Sequence, residues 1–276
     1  MIKLQTIVDI KPSEWKIGYE DKILMLGSCF SDEIGEQMAQ RYLHVTSNPF
    51  GTLYNPLSIA QALTMTEMPE FVQHEGLWHS MAHHGSFSRA TESEAREAVR
   101  VSIEAMQTAL NEATVVIVTF GTAWVYAWNE NRQVIANCHK LPAECFTRRR
   151  LSVEDIVNVW KPLLERYKDK HWLFTVSPIR HIKDGLHENQ LSKATLLQAV
   201  EQLRAEANAD YFPSFEIMLD ELRDYRFYAD DLVHPSSMAV SYIWERFVDT
   251  FCTPQTKNEL VLQHKRWKHE HHIPLH

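Results

Sequence analysis

The run Lys22-Ile23-Leu24-Met25-Leu26-Gly27-Ser28-Cys29-Phe30-Ser31 restricts the possible fold more than any other stretch of the chain. An apolar segment of strand length ends on a glycine and passes two nucleophile-capable side chains. It then enters a segment in which Phe30, Ile34 and Met38 recur at four-residue spacing. Asp32, Glu33, Glu36 and Gln37 lie between them, so that segment reads as a helix with one buried face, over about 30–42. In a βα unit of this kind the helix's free N–H groups and dipole lie beside Ser28 and Cys29 and favour negative charge there, which suits nucleophilic catalysis. The structural alternative is an ordinary βα turn with a buried cysteine.

The same logic repeats along the chain. Thr114-Val115-Val116-Ile117-Val118-Thr119-Phe120 and Trp172-Leu173-Phe174-Thr175-Val176 are continuous apolar runs, the pattern of strands buried on both faces of a parallel sheet. Between the strands lie helical patterns opened by cap signals. Asn55-Pro56 precedes Leu57, Ala60 and Leu63; Thr91-Glu92-Ser93-Glu94 precedes Ala95, Val99, Ile103, Met106 and Leu110. Ser152-Val153-Glu154-Asp155 precedes Ile156, Val159, Leu163 and Leu164. Ser192 reads as the cap of a further helix, and His234-Pro235 precedes the last clear one. Trp124 to Cys138 reads as a hairpin around Asn129-Glu130-Asn131. Phe215–Met218 and Tyr225–Tyr228 are short strand candidates, and residues 67–90, without clean periodicity, read as a loop or short strands over a site. The expectation is a single α/β domain over 1–253, a three-layer α/β/α sandwich with a mostly parallel sheet, followed by a polar tail over 254–276 that forms a short helix and then frays.

Composition narrows the function classes. A net charge of −8 argues against a general binder of nucleic acid or anionic membrane. No apolar run reaches the length of a membrane span, and the run at Met1–Asp9 is too short for a signal peptide. The four cysteines contain no Cys-x-x-Cys pair, so neither a disulfide framework nor a zinc ribbon is suggested, and a cytoplasmic enzyme is expected.

In open parallel sheets ligands bind beyond the carboxyl ends of the strands. The segments in that position are Gly27-Ser28-Cys29, Asn48 to Gly51, Gly121-Thr122-Ala123, Ser177 to His181, and Asp230 to Pro235. Within the last, Asp231-x-x-His234 can place a carboxylate on one ring nitrogen of the histidine and leave the other for a nucleophile; the alternative is a helix-capping aspartate beside a surface histidine.

With Asn48-Pro49-Phe50-Gly51-Thr52, Trp78-His79-Ser80, Ser177-Pro178-Ile179-Arg180-His181, Asp184-Gly185, Asn189, Ser192-Lys193 and Asp231-Leu232-Val233-His234-Pro235 added to Gly27-Ser28-Cys29-Phe30, the chain resembles the GSCFA family, a branch of the SGNH (GDSL-like) hydrolase superfamily. The resemblance spans about 22 to 250. It implies a flavodoxin-like sandwich and an acyl-ester hydrolase working through an acyl-enzyme, with an O-acetylated carbohydrate or small ester as substrate and no cofactor. Aligning the glycine of Gly-Asp-Ser-Leu on Gly27 makes Cys29 the nucleophile, as in a related group of polysaccharide-biosynthesis acyltransferases; a one-residue shift makes it Ser28. His234 is then the general base, oriented by Asp231. At a helix N-terminus beside His234, Cys29 is expected to have a depressed pKa.

The superfamily's oxyanion hole uses the nucleophile's N–H, a glycine N–H and an asparagine side chain. Gly51 stands for the glycine, but the asparagine's block reads Gly121-Thr122-Ala123-Trp124, so Asn48, Thr122 or His181 is the expected replacement. His79, His84, Arg180 and His181 are candidate substrate contacts. No metal is expected, because adjacent His83 and His84 do not face one way on regular structure and no acidic residue sits at a usual ligand spacing. Two other readings stay open: a CoA-dependent O-acyltransferase on the same fold, and a non-catalytic binding protein on a decayed hydrolase fold.

Overall fold

A computed structural model describes residues 5–207 and 209–271. Its elements follow in order as β1 (Lys22–Gly27), α1 (Cys29–Ala39), β2 (His44–Ser47), α2 (Pro56–Thr64), β3 (Phe71–His74), β4 (Leu77–Ser80), α3 (Glu92–Glu112), β5 (Val115–Phe120) and β6 (Trp124–Trp128). The second half adds β7 (Val134–Ile135), β8 (Phe146–Arg150), α4 (Val153–Arg166), β9 (His171–Val176), α5 (Leu186–Glu206), β10 (Ala209–Phe212), α6 (Ser214–Glu216), α7 (Ser237–Phe251) and α8 (Pro254–Glu270).

Five strands form the central sheet in the order β10-β9-β5-β1-β2, and every neighbouring pair is parallel. This is the strand order of a flavodoxin-like sheet, with the first strand next to its centre. Alternation within the strands divides the core between two faces. Leu24, Leu26, Val116, Val118, Trp172 and Phe174 pack against α2, α3, α4 and α5, with Trp160 fully buried among them. Ile23, Met25, Val115, Ile117 and Leu173 pack against α1, α7 and Leu260 of α8. Each fully buried aliphatic side chain contributes about 1.5–3 kcal/mol, so both helical layers are held by the sheet they cover.

Gly27 shows why β1 ends where it does. Its φ is +135°, and a Cβ there would lie 2.1 Å from the carbonyl oxygen of Thr119 on β5. Only glycine lets the chain leave the sheet this close to its neighbour and turn into α1.

Two small antiparallel sheets decorate this frame: the β3–β4 hairpin, and a three-stranded sheet in the order β7-β6-β8 that extends the expected Trp124–Cys138 hairpin by one strand. Other elements differ from expectation. The short strand is Ala209–Phe212, whereas Phe215–Met218 lies in a helical stretch running from Ser214 to Glu221 and Tyr225–Phe227 forms a 3₁₀ turn. Apolar residues recurring there serve a tight helical turn against α7, which a four-residue window cannot distinguish from a strand. Ser192 caps nothing: α5 begins at Leu186, and the Ser192 hydroxyl lies inside the fold, accepting the Ala123 N–H at 2.7 Å. The expected short C-terminal helix is the 17-residue α8, anchored by Leu260 and by a 3.0 Å contact between Arg41 Nη2 and His264 Nδ1; its expected frayed end, from 272 on, lies outside the described residues.

Candidate active site

A cavity of about 670 Å³ opens at the carboxyl ends of the central strands. Cys29 follows β1, Thr122 follows β5, Arg180 and His181 follow β9, and His234 precedes α7; all of them line it. Tyr54 and Asn55 enter from the turn before α2, and Trp124, Tyr126 and Arg148 from the small β7-β6-β8 sheet. Four of the five strand-end segments picked from sequence therefore meet at one cavity.

The fifth works from beneath. The carbonyl of the Asn48 side chain accepts the Gly27 N–H at 2.8 Å and its amide donates to Asp32 Oδ1 at 2.7 Å. The Gly51 N–H donates to the Asn48 carbonyl at 2.7 Å, with Gly51 in the left-handed region at φ +74°. Neither residue lines the cavity, and the Gly51 N–H and one N–H of the Asn48 amide are already committed within the fold. Thr122 does line it; its N–H goes to the Tyr54 carbonyl, and its hydroxyl accepts from the Trp124 N–H and shares a proton with Ser192 Oγ.

Ser28 and Cys29 occupy different environments. Ser28 is the N-cap residue of α1 but makes no side-chain cap; it is 1% exposed, and its Oγ has no hydrogen-bond partner. Cys29 is the first helical residue, is half-buried, and faces the cavity that His234 also lines. Its thiol departs from the expected depression: burial pushes its pKa up, and the Asp32 and Glu33 carboxylates add to the rise. The backbone N–H groups of Cys29 and Phe30 pull it down without overcoming burial. The thiol is therefore held protonated, and a base must take its proton during any attack.

The turn before α7 brings a histidine to the same cavity, with a carboxylate on its ring. Asp231 Oδ2 lies 2.6 Å from His234 Nδ1, while Oδ1 accepts the N–H groups of Val233 at 2.8 Å and His234 at 3.0 Å. Leu232 sits in the left-handed region at φ +56°, a conformation of real cost for a branched side chain. The His234 backbone N–H and ring, with the Val233 N–H, hold Asp231 down at about 2, so it is ionised at any working pH.

His181 has its N–H fixed by Asn189 Oδ1 at 2.9 Å, and its ring Nε2 is buried without a partner. Burial and the Lys193 and His234 charges hold the ring down at about 4 against a hydrogen bond to the Gly121 backbone, so it is neutral. Lys193, 1% exposed, donates to the carbonyls of Gly121 and Ser177, both at 2.7 Å, and so ties together the chain just past β5 and β9.

The histidines expected over the site lie elsewhere. His79 is buried in β4, bonded to Ser88 Oγ and the His74 carbonyl, and stacks near His139. His84 caps a 3₁₀ turn through Ser86, against Gly51. His83, fully buried, bridges Ser80 and Ser102 and stacks on Phe50 at 4.1 Å. Neither His79 nor His84 lines the cavity, because the β3–β4 hairpin packs beside α3 rather than over the strand ends. Among the described residues, no group of three or more His, Cys, Asp or Glu is placed to hold a metal ion.

Sequence reasoning missed Tyr54, Trp124, Tyr126 and Arg148 as cavity residues and named Lys193 only within the family resemblance. The alternation Trp124-x-Tyr126 and the run Arg148-Arg149-Arg150 were visible as strand faces, but nothing local ties either to the strand ends.

The model of the GSCFA family matches residues 22–247. No curated protein matches the chain. A crystal structure of a carbohydrate esterase family 3 from Talaromyces cellulolyticus is similar at 13% identity over 89% of this chain and 99% of that one, with a TM-score of 0.36.

Proposed function

The chain belongs to the GSCFA family, and on that premise we propose that it is an acyl-ester hydrolase of the SGNH type, with Cys29 as nucleophile, His234 as general base and acid, and Asp231 as orienter. The observation that carries this reading is the Asp231–His234 pair at 2.6 Å, sharing one cavity with the thiol at the N-terminus of α1. With Nδ1 taken by an ionised carboxylate, Nε2 is the ring atom free to act.

His234 takes the thiol proton as Sγ attacks the ester carbonyl carbon, forming a C–S bond and a tetrahedral oxyanion. The N–H groups at the start of α1 and, in the tautomer that carries its proton on Nε2, neutral His181 stabilise that oxyanion. Collapse breaks the C–O bond, and the departing alcohol takes the proton from His234. Water, deprotonated by His234, then attacks the thioester, releases the carboxylic acid and restores the thiol. His181 thus does the work of the superfamily's asparagine, and its unpartnered nitrogen gains a partner only when the oxyanion forms. The aromatic lining, with Tyr54 not covered by Arg148 as Trp124 and Tyr126 are, supports an O-acylated carbohydrate as substrate, since a flat ring can stack on a sugar face.

The test is turnover of p-nitrophenyl acetate with mass spectrometry of the quenched enzyme. An acetyl group on the peptide carrying Cys29, absent from Cys29→Ala, is the expected result. Full turnover by Cys29→Ala would sink the assignment.

A further inference from the structure

The cavity carries more positive charge than the hydrolysis just described requires. Arg148, Arg180 and Lys183 line it, against the single carboxylate of Asp184, in a chain whose net charge is −8. The two guanidinium groups are also fixed in place. Arg148 lies 3.9 Å over the Trp124 ring and is paired with Asp184, so its charge is largely spoken for. Arg180 lies 5.4 Å over the Tyr228 ring, and its backbone N–H is held by the Val233 carbonyl at 3.2 Å. Its head group makes one neutral bond, from Nη1 to the Leu232 carbonyl at 3.2 Å. Among the described residues no carboxylate pairs with it. A guanidinium has five N–H donors in a rigid fork that matches carboxylate and phosphate oxygens. Stacking on Tyr228 has already removed much of the rotamer freedom that binding would otherwise cost, so the group is prepared for an anion it lacks.

Its place gives the geometry. Arg180 and Val233 border the turn that carries His234, so an anion on Arg180 sits a short reach from the reacting ester. Arg180 also lines a second, smaller cavity of about 280 Å³ with Leu186, Met218, Leu222 and Tyr225, and so is shared by the linings of both.

We propose that the Arg180 guanidinium, with Lys183 beside it, is the subsite for an anionic group of the substrate, so that this enzyme takes acyl esters of phosphorylated or carboxylated sugars in preference to neutral ones. The proposal rests on the cavity being the ester site, and the measurement below separates the two.

Alkylation of Cys29 by iodoacetamide reports occupancy of the cavity without turnover. Glucose, glucose 6-phosphate and glucuronate are compared as protectants. Charge-assisted hydrogen bonds to a fixed guanidinium predict that at least one anionic sugar protects at roughly tenfold lower concentration than glucose, with the advantage shrinking as salt is added. The phosphate and carboxylate arms show which anion is preferred. Arg180→Gln removes the advantage; Arg180→Lys, which keeps the charge, retains part of it and guards against misfolding as the cause. Equal protection by all three sugars, no protection by any, or an advantage that survives in Arg180→Gln overturns the proposal. If anionic sugars protect through Arg180 but p-nitrophenyl acetate is never turned over, the subsite stands and the hydrolase reading falls. If the ester is turned over without anion preference, the reverse holds.

Discussion

Asp231 grips His234 twice, accepting the backbone N–H through Oδ1 at 3.0 Å and meeting ring Nδ1 through Oδ2 at 2.6 Å. Both bonds close within a four-residue turn that Leu232 completes at φ +56°. One carboxylate therefore sets both the backbone and the tautomer of the proposed base. Asp231→Asn keeps the size and one acceptor but removes the charge and lets the amide face the ring with N–H. A drop in kcat of roughly 10²–10⁴-fold is expected, since a misoriented base forfeits most of its contribution. Circular dichroism should be unchanged. A kcat within twofold of the parent would exclude a base–orienter pair.

Ser28 and Cys29 are neighbours with opposite prospects. The Ser28 hydroxyl is buried with no partner, a state that costs about 1–3 kcal/mol. Ser28→Ala should therefore leave the melting temperature equal or higher and keep turnover of p-nitrophenyl acetate. Cys29→Ala should abolish turnover, whereas Cys29→Ser should retain a fraction of it, because the raised thiol already relies on His234 for deprotonation as a hydroxyl would. Loss of activity in Ser28→Ala with full activity in Cys29→Ala would reverse the assignment.

His181 is predicted to act on kcat rather than on binding. Removing one oxyanion donor costs roughly 10²–10³ in kcat, so His181→Ala should lose that much with KM little changed. His181→Asn restores an N–H of similar reach and should recover part of the loss. A variant whose KM rises while kcat holds would mark His181 as a substrate contact instead.

What the sequence revealed about this site follows how local each feature is. Asp231 and His234 are three residues apart on one turn, and Gly27 to Cys29 joins a strand to its own helix, so spacing alone displays both. The parallel sheet was legible for the same reason: Val115–Phe120 and Trp172–Val176 are apolar on both faces, which few other environments tolerate. Arg148, Trp124 and Tyr126 reach the cavity through the stacking of separate layers, and no residue near them in the chain records that. His79 and His84 misled because the crowding around His83 reflects packing: His83 serves two serine hydroxyls and the Phe50 ring, a polar seam between the end of β4 and α3 that has no sequence period.

That seam should make the fold acid-sensitive. Burial, aided by the His139 charge, pulls His83 from 6.5 to about 3, and burial pulls His139 to about 4. Both are neutral when folded, whereas the unfolded chain protonates them near 6.5. Their contribution is complete above that pH and is lost as pH falls toward 4, by at most about 1.4 kcal/mol per pH unit for each histidine. Urea unfolding at pH 7 and pH 5 should show a loss that is smaller in His83→Gln, which keeps one donor and one acceptor for the serines. Identical losses in the two proteins would mean that His83 titrates normally in the folded chain.

Lys193 predicts the opposite end of the pH scale. Burial draws it from 10.5 to about 7, and only a charge on Cys29 pushes back. Between those values the unfolded chain holds a proton that the folded chain has released, so stability rises with pH across the window. The two carbonyls it serves, Gly121 and Ser177, keep a donor whether the amine is charged or neutral. Lys193→Met removes the titration and leaves both carbonyls unpaired at about 1–3 kcal/mol each. The variant should therefore be less stable at pH 9 and closer to the parent at pH 7, where the parent bears the cost of a buried ammonium. Unfolding free energies at both pH values for both proteins give the comparison. A gap between them that does not widen with pH would show that Lys193 stays charged in the folded protein, held by an interaction stronger than two carbonyls.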